Sequence, residues 1–349
     1  MKQLEYFLGS NTKNGFHSYF DNILKPQKEG KLYIIKGGPG SGKSTLMKRL
    51  SERFANSGER VEKFYCSSDP NSLDGVLWVN KRVAIIDGTN PHAVEPKYVG
   101  AFETIINTAE GFNTKKLKEN YKKIEALNQQ INAHHKMAVS LIKKASILRE
   151  QTFIKAEKYL NYDVVYTMAE LLPFWRFLHQ NGGQNTRLLS AVSVDKTVFF
   201  ENTLKEQRVV YGIKDSFGAA AHYLIKKVAS EATKFKLSHT LCPCGINPER
   251  LEHIIFPDGV AFTTQNAFHY YQGKNTQSLD GFYLPIKNED LKLMEAERAQ
   301  AAEFIALASK EIAKSKMLHD ELEKIYISAM DFSVIDKLYE KIIKDIEGI

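Results

Sequence analysis

Cysteine is scarce. Cys66, Cys242 and Cys244 are the only three in 349 residues, too few for a disulfide framework, and such usage fits a reducing compartment. Cys242-Pro243-Cys244 has no second pair to complete a zinc-type site. No apolar run approaches the roughly 18 residues a membrane span needs. The opening Met1-Lys2-Gln3-Leu4-Glu5 lacks the basic-then-apolar build of a secretory leader. These absences lead us to expect a cytoplasmic protein with no membrane partner. Neither sign of charge dominates: 48 Lys and Arg stand against 41 Asp and Glu, a net +7. A phosphate-bearing ligand or nucleic acid suits that balance, although much of the excess sits in helical lysine runs that solvation explains. Between Thr114 and Leu160 there is no glycine and no proline.

Glycine is instead concentrated in one stretch, Gly37-Gly38-Pro39-Gly40-Ser41-Gly42-Lys43-Ser44-Thr45. It fits G-x-x-x-x-G-K-[ST] at every fixed position. The β-rich run Lys31–Lys36 precedes it and the helix-prone Leu46–Leu50 follows, which is the strand, loop and helix context the motif needs. Backbone N–H groups of such a loop and the following helix N-terminus form a positive concavity for phosphate. Lys43 is placed to reach the β- and γ-phosphates of ATP, and Ser44 to hold Mg²⁺. The apolar run Arg82–Ile86 then delivers Asp87, a Walker B pattern that puts a carboxylate in the Mg²⁺ shell.

Residues 4–8 and 61–66 read as strands, 103–107 as another, and Asn14–Leu24 as a helix with a stripe of Phe16, Tyr19, Phe20 and Ile23. From Thr114 to Leu160 apolar or small residues recur in steps of three and four, the mark of a long amphipathic helix of coiled-coil type. Asn161-Tyr162-Asp163 is expected to stop it and open a return helix to about Leu178.

The second half then repeats the first. Tyr33-Ile34-Ile35-Lys36 returns as Tyr211-Gly212-Ile213-Lys214 and Leu46-Met47-Lys48-Arg49 as Leu224-Ile225-Lys226-Lys227, both displaced by 178 residues (211 − 33). Cys66 meets Cys244 in that register; one gap later Val83–Ile86 meets Val260–Thr263 and His92 meets His269. A second heptad-patterned helix starts near Asn288. Ser333 opens its return helix, with Asp336 at capping-box spacing. The second loop has lost its chemistry: Gly37 becomes Asp215, Gly42 Ala220, Lys43 Ala221, Ser44 His222, and Asp87 Thr264. An Asp there would repel phosphates. One nucleotide per chain is expected, in the first half, with the second acting as scaffold, regulator or substrate-binding partner.

These residues carry a resemblance. The chain resembles an uncharacterised bacterial family of tandem P-loop ATP-binding proteins over essentially its whole length, through Gly37–Thr45, Cys66–Gly75, Ile86–His92 and Ala261–Asn266. The resemblance implies a P-loop NTPase fold with ATP and Mg²⁺, but no reaction. The family pattern includes chains with an intact second P-loop, from which this sequence departs. The fold expected is α/β. It has two tandem P-loop NTPase-like parallel-sheet halves, each followed by a long coiled-coil-like helical arm, with boundaries at 1–112, 113–181, 182–287 and 288–349.

Three functions compete. The first is a Mg²⁺-dependent ATPase or ATP-gated switch, with Lys43 and Asp87 at its centre. Gly88 stands where many P-loop ATPases carry a water-activating Glu, so Asp69, Asp74 and His92 are the candidates for that work. The second is a small-molecule or nucleotide kinase, which needs no water activator, with Arg149 or Arg176 as lid arginines. Given its acceptor, a kinase makes ADP without free phosphate. The third is a non-catalytic module in which ATP locks the halves and the arms grip a protein or nucleic acid. The basic runs at Lys115–Lys118 and Lys122-Lys123 lack interleaved aromatics, which argues against single-strand stacking. Trp78 and Trp175 fall in no cofactor pattern and are expected to pack.

Overall fold

The computed structural model describes residues 3–55, 59–171, 182–194 and 196–348. Each repeat builds a six-stranded sheet. In the first, Gln3–Phe7 (β1), Lys31–Lys36 (β4), Val61–Cys66 (β5), Asp69–Trp78 (β6), Val83–Asp87 (β7) and Glu103–Asn107 (β8) lie in the order β1-β5-β6-β7-β4-β8. In the second, Gln184–Thr186 (β9), Val209–Lys214 (β12), His239–Pro243 (β13), Leu251–Phe256 (β14), Val260–Gln265 (β15) and Thr276–Leu279 (β16) lie in the order β9-β13-β14-β15-β12-β16. The two orders, and the parallel or antiparallel sense of every pairing, coincide strand for strand. Two hairpins, Gly9–Thr12 (β2) with Gly15–Ser18 (β3) and Ser190–Val192 (β10) with Thr197–Phe199 (β11), also correspond. The duplication read from the shared register is therefore present in the topology.

The sheets are mixed, which corrects the expectation of parallel ones. β6 runs antiparallel to both neighbours, as does β14. The reason is local: only Ser67-Ser68 separate β5 from β6, and a turn that short joins antiparallel neighbours, whereas a parallel pair needs a crossover. The helix expected at Asn14–Leu24 is also absent. Asn14-Gly15, a strong hairpin dipeptide, closes the β2–β3 turn with Gly15 at φ +97°. Only Phe20–Asn22 is helical, as one 3₁₀ turn.

Lys43–Ala55 (α1) follows β4. Thr114–Glu119 (α2) is capped by the Asn113 side chain, which accepts from the Lys116 N–H, and ends at Asn120. The long helix Tyr121–Glu157 (α3) and the return helix Tyr162–Leu171 (α4) follow. The expected extension to Leu178, with Trp175 and Arg176, lies outside the described residues. Glu201–Lys205 (α5) and Ala219–Lys234 (α6) flank the second loop, and Asn288–Ile327 (α7) and Ser333–Glu347 (α8) close the chain. The capping box expected at Ser333 does not form: Asp336 pairs with Arg49 at 2.7 Å, and Asp331 accepts from the Ser333 N–H instead.

The chain forms two compact units. One takes the residues through Gly9, then Ser18–Ala138, then Lys310 onward; the other takes Ser10–His17 and Val139–Ser309. In the first unit, Leu46, Met47, Leu50 and Phe54 of α1 share a core with Ile335, Ile342, Ile343 and Ile346 of α8. In the second, Leu224, Ile225 and Val228 of α6 share a core with Val165 and Ala169 of α4. The return helix on each sheet therefore comes from the other repeat's arm. Long-helix contacts in the first unit join Leu127 and Ile131 of α3 to Leu318 and Leu322 of α7. In the second they join Phe153 and Ala156 to Met294. No described helix is long and apolar enough to cross a membrane.

Candidate functional site

β4, buried from Leu32 to Ile35, and the fully buried β7 are parallel neighbours, so their C-terminal ends deliver the glycine loop and Asp87 side by side. Gly40 (φ +63°) and Gly42 (φ +83°) take the left-handed conformation that side chains resist. A Cβ at Gly37 would stand 2.0 Å from Thr108 Oγ1, whose hydroxyl is 2.9 Å from Ser41 Oγ. The outer face of the loop is packed rather than open. A Cβ at Gly40 would meet Ile327 and the Glu323 carbonyl of α7 at 2.9 and 3.0 Å, one at Gly38 would meet Phe112 and Tyr326, and one at Gly42 would meet Ile335.

Lys43 Nζ donates to the Gly38 carbonyl at 2.8 Å and lies 3.6 Å from Asp87 Oδ2. Ser44 Oγ accepts from the Leu73 N–H at 2.9 Å. Asp87, 8% exposed, is held by the Thr89 N–H and hydroxyl at 2.9 and 2.6 Å on Oδ1. His92 Nδ1 sits 2.9 Å from the Asp87 carbonyl, and Nε2 lies 3.5 Å from Asp74 Oδ2. Asp74, Asp87 and His92 each present one ligand atom within 4.8 Å of the others. Burial pushes the Asp74 carboxyl up to about 6, with nearby Asp87 adding to the rise and His92 opposing it. Burial also drives the Cys66 thiol well up.

The structure thus places Lys43 beside Asp87 and gathers Asp74, Asp87 and His92, so of the water-activating candidates it brings Asp74 and His92 to the loop. Asp69 is not in that group: its carboxylate accepts from the Asn71 N–H and lies 3.3 Å from Lys316 Nζ. Arg149 is committed in the second unit to Glu252 at 2.9 Å. The sequence reading passed over Thr89 and Thr108. Thr89 was detectable, since a hydroxyl two residues after an Asp commonly closes on its carboxylate; Thr108 left no local signal.

In the second loop, Asp215 makes contacts that the first loop lacks. Asp215 replaces Gly37, and its buried carboxylate turns into the loop. Oδ1 accepts from the N–H groups of Phe217 and Gly218 at 2.9 and 2.8 Å and from the Tyr283 hydroxyl at 2.8 Å. Oδ2 accepts from the Ala221 N–H at 2.8 Å, and the Ala220 N–H donates to the Tyr283 oxygen at 3.1 Å. The counterparts of Gly218, Ala220 and Ala221 in the first loop are Gly40, Gly42 and Lys43, whose N–H groups have no acceptor among the described residues. Asp215 therefore fills its own nest with a built-in anion, a fuller account than the simple repulsion expected. The rest of the framework persists: His222 Nδ1 accepts from the Leu251 N–H at 3.1 Å, as Ser44 does from Leu73. Burial, with Arg250 and Lys226 nearby, holds His222 down at about 4.

Residues 16–141, less than half of the chain, match the family model of the nephrocystin 3 N-terminal region. No curated protein and no solved structure matches the chain.

Proposed function

We propose that the first repeat is a P-loop NTPase domain, that it binds ATP with Mg²⁺ at Gly37–Thr45, and that the protein is an ATPase or ATP-gated switch with one working site. The observation that carries this is the contrast between the loops. The same three N–H groups are claimed by Asp215 and Tyr283 in one copy and lack an acceptor in the other. A nest of unclaimed amides at a helix N-terminus is an anion receptor. The match to the nephrocystin 3 N-terminal model spans this loop, and the resemblance to tandem P-loop ATP-binding proteins agrees with it.

The donor set suits Mg²⁺: the Ser44 hydroxyl and the Asp87 carboxylate are hard oxygen ligands, and Asp87 lies 3.6 Å from Lys43 Nζ. When bound, Mg²⁺ supplies charge neutralisation at the β- and γ-phosphates. Lys43 exchanges its hold on the Gly38 carbonyl for phosphate oxygens. Asp74 and His92 stand behind Asp87 and orient water at the buried end of the site, the work done elsewhere by a Glu at the Gly88 position. The test is phosphate release and nucleotide binding by the intact chain and by Lys43→Ala. We expect stoichiometric Mg²⁺-dependent ATP binding, and a drop in release of about 100-fold in the variant. Release that persists in Lys43→Ala, or an unaltered chain that fails to bind ATP, removes the assignment.

A further inference from the structure

The second repeat lost the loop chemistry but kept a buried polar group beside it. In the repeat register Glu252 stands for Asp74 and His269 for His92, while His253 occupies the place of Gly75. Glu252 is 6% exposed, His253 0% and His269 2%. One ligand atom from each lies within 4.8 Å of the other two. Among the described residues, Glu252 Oε2, His253 Nε2 and His269 Nδ1 make no hydrogen bond. Each buried polar atom left without a partner costs on the order of 1–3 kcal/mol, so an array of them in one place calls for an occupant.

The outer partners are those of a ligand set. Thr263 Oγ1 holds His253 by its other nitrogen at 2.7 Å, and Arg149 holds Glu252 by its other oxygen at 2.9 Å. His269 Nε2 lies 2.9 Å from Ser190 Oγ and 3.6 Å from Glu252 Oε2. Two imidazoles and one carboxylate, with a position left over, are a donor set for zinc and its neighbours rather than for Mg²⁺ or Ca²⁺.

We propose that Glu252, His253 and His269 bind one divalent transition-metal ion, of zinc type, in the second repeat, with a fourth position facing the cavity bordered by Arg149, Ser190, Cys244 and Phe268. Arg149 beside that position opposes a bare cation and favours an anionic fourth ligand. The metal site is independent of the ATP site: it uses neither Lys43 nor Asp87.

The test uses the full chain, stripped with chelator and titrated with Co²⁺ and Zn²⁺. One equivalent is expected to bind. The Co²⁺ form should show the intense visible absorption of a tetrahedral ion, and X-ray absorption of the Zn²⁺ form should show two imidazole nitrogens. Asp87→Asn should keep that equivalent, and His253→Gln should weaken it at least about 100-fold. Absence of stoichiometric binding, fewer than two imidazoles, loss in Asp87→Asn, or tight binding retained by a folded His253→Gln overturns the proposal. If His253→Gln does not fold, the X-ray absorption of the unaltered chain decides.

Discussion

Replacing Asp215 by Ala empties the second nest and measures what its anion is worth. The carboxylate, itself buried, accepts from three backbone N–H groups and the Tyr283 hydroxyl, all at 2.8–2.9 Å, in a half-buried loop. Removing it strands donors at about 1–3 kcal/mol each, while the cost of burying the charge is relieved. Because neutral donors and no charge are left behind, and the loop is half-buried, the net cost is about 1–3 kcal/mol. The loss belongs to the second unit, so amide exchange in Ala219–Lys234 should rise along with a lower urea midpoint. The same vacancy should then accept a free anion. Pyrophosphate at a hundred times its Kd would restore about 2.7 kcal/mol to Asp215→Ala and do nothing comparable in the unaltered protein's second unit. Nucleotide affinity should not follow, since Ala221 and His222 supply neither a cation nor a hydroxyl. A change below about 0.5 kcal/mol, or no difference in anion response between the two proteins, would refute the built-in anion.

Asp74 is ionised at a cost in the folded state, because its carboxyl is raised to about 6 by burial. Its favourable contribution is full below the unfolded value near 3.8 and is lost as pH rises through about 6. Asp74→Asn should therefore melt higher than the unaltered chain at pH 8, by on the order of 2–3 kcal/mol, and match it at pH 4, as calorimetry would show. His222 runs the other way: held down at about 4, it contributes stability present above 6.5 and lost as pH falls through about 4. Acid should thus raise amide exchange in the second unit between those limits, and His222→Asn should blunt that rise. Ile342→Ala in α8 should cost the first unit about 2–5 kcal/mol, read by Trp78 fluorescence, although residue 342 belongs to the second repeat's arm. An unshifted Trp78 transition would contradict the helix exchange.

What the sequence revealed follows from how local each signal was. The glycine loop, Asp87 and the 178-residue register (211 − 33) depend on short segments, and their placement is seen in β4, α1, β7 and their twins. The sense of β6 depends on the two-residue turn at Ser67-Ser68, and no strand was expected at Asp69–Trp78. The helix expected at Asn14–Leu24 does not form because the Asn14-Gly15 turn, with Gly15 at φ +97°, overrides the apolar spacing. Thr108 closing on Ser41, and Tyr283 closing on Asp215, are contacts across 67 and 68 positions with no compositional trace. Asp215 itself was noticed but misjudged: from sequence a carboxylate at a phosphate site reads only as a repellent, and its use as a substitute ligand needs the amide geometry.

The exchanged return helices tie the second repeat's arm to the first sheet. Gly38, Gly40 and Gly42 lie against Tyr326, Ile327 and Ile335, all encoded after the second sheet. The apolar face of α1 is covered by four isoleucines of α8. A chain ending after the first arm would strip Ile335, Ile342, Ile343 and Ile346 from this core, at about 1.5–3 kcal/mol for each buried side chain lost. That sum rivals the total stability of a domain, about 5–15 kcal/mol. The second loop could therefore lose its lysine and hydroxyl without penalty to the first site, but the second arm could not be lost. The loop glycines meet side chains of α7 and α8 closely enough that a nucleotide drawing the loop tighter on Lys43 would have to carry Tyr326 and Ile327 with it. On the proposed reading, ATP in the first repeat would be read directly by a helix of the second.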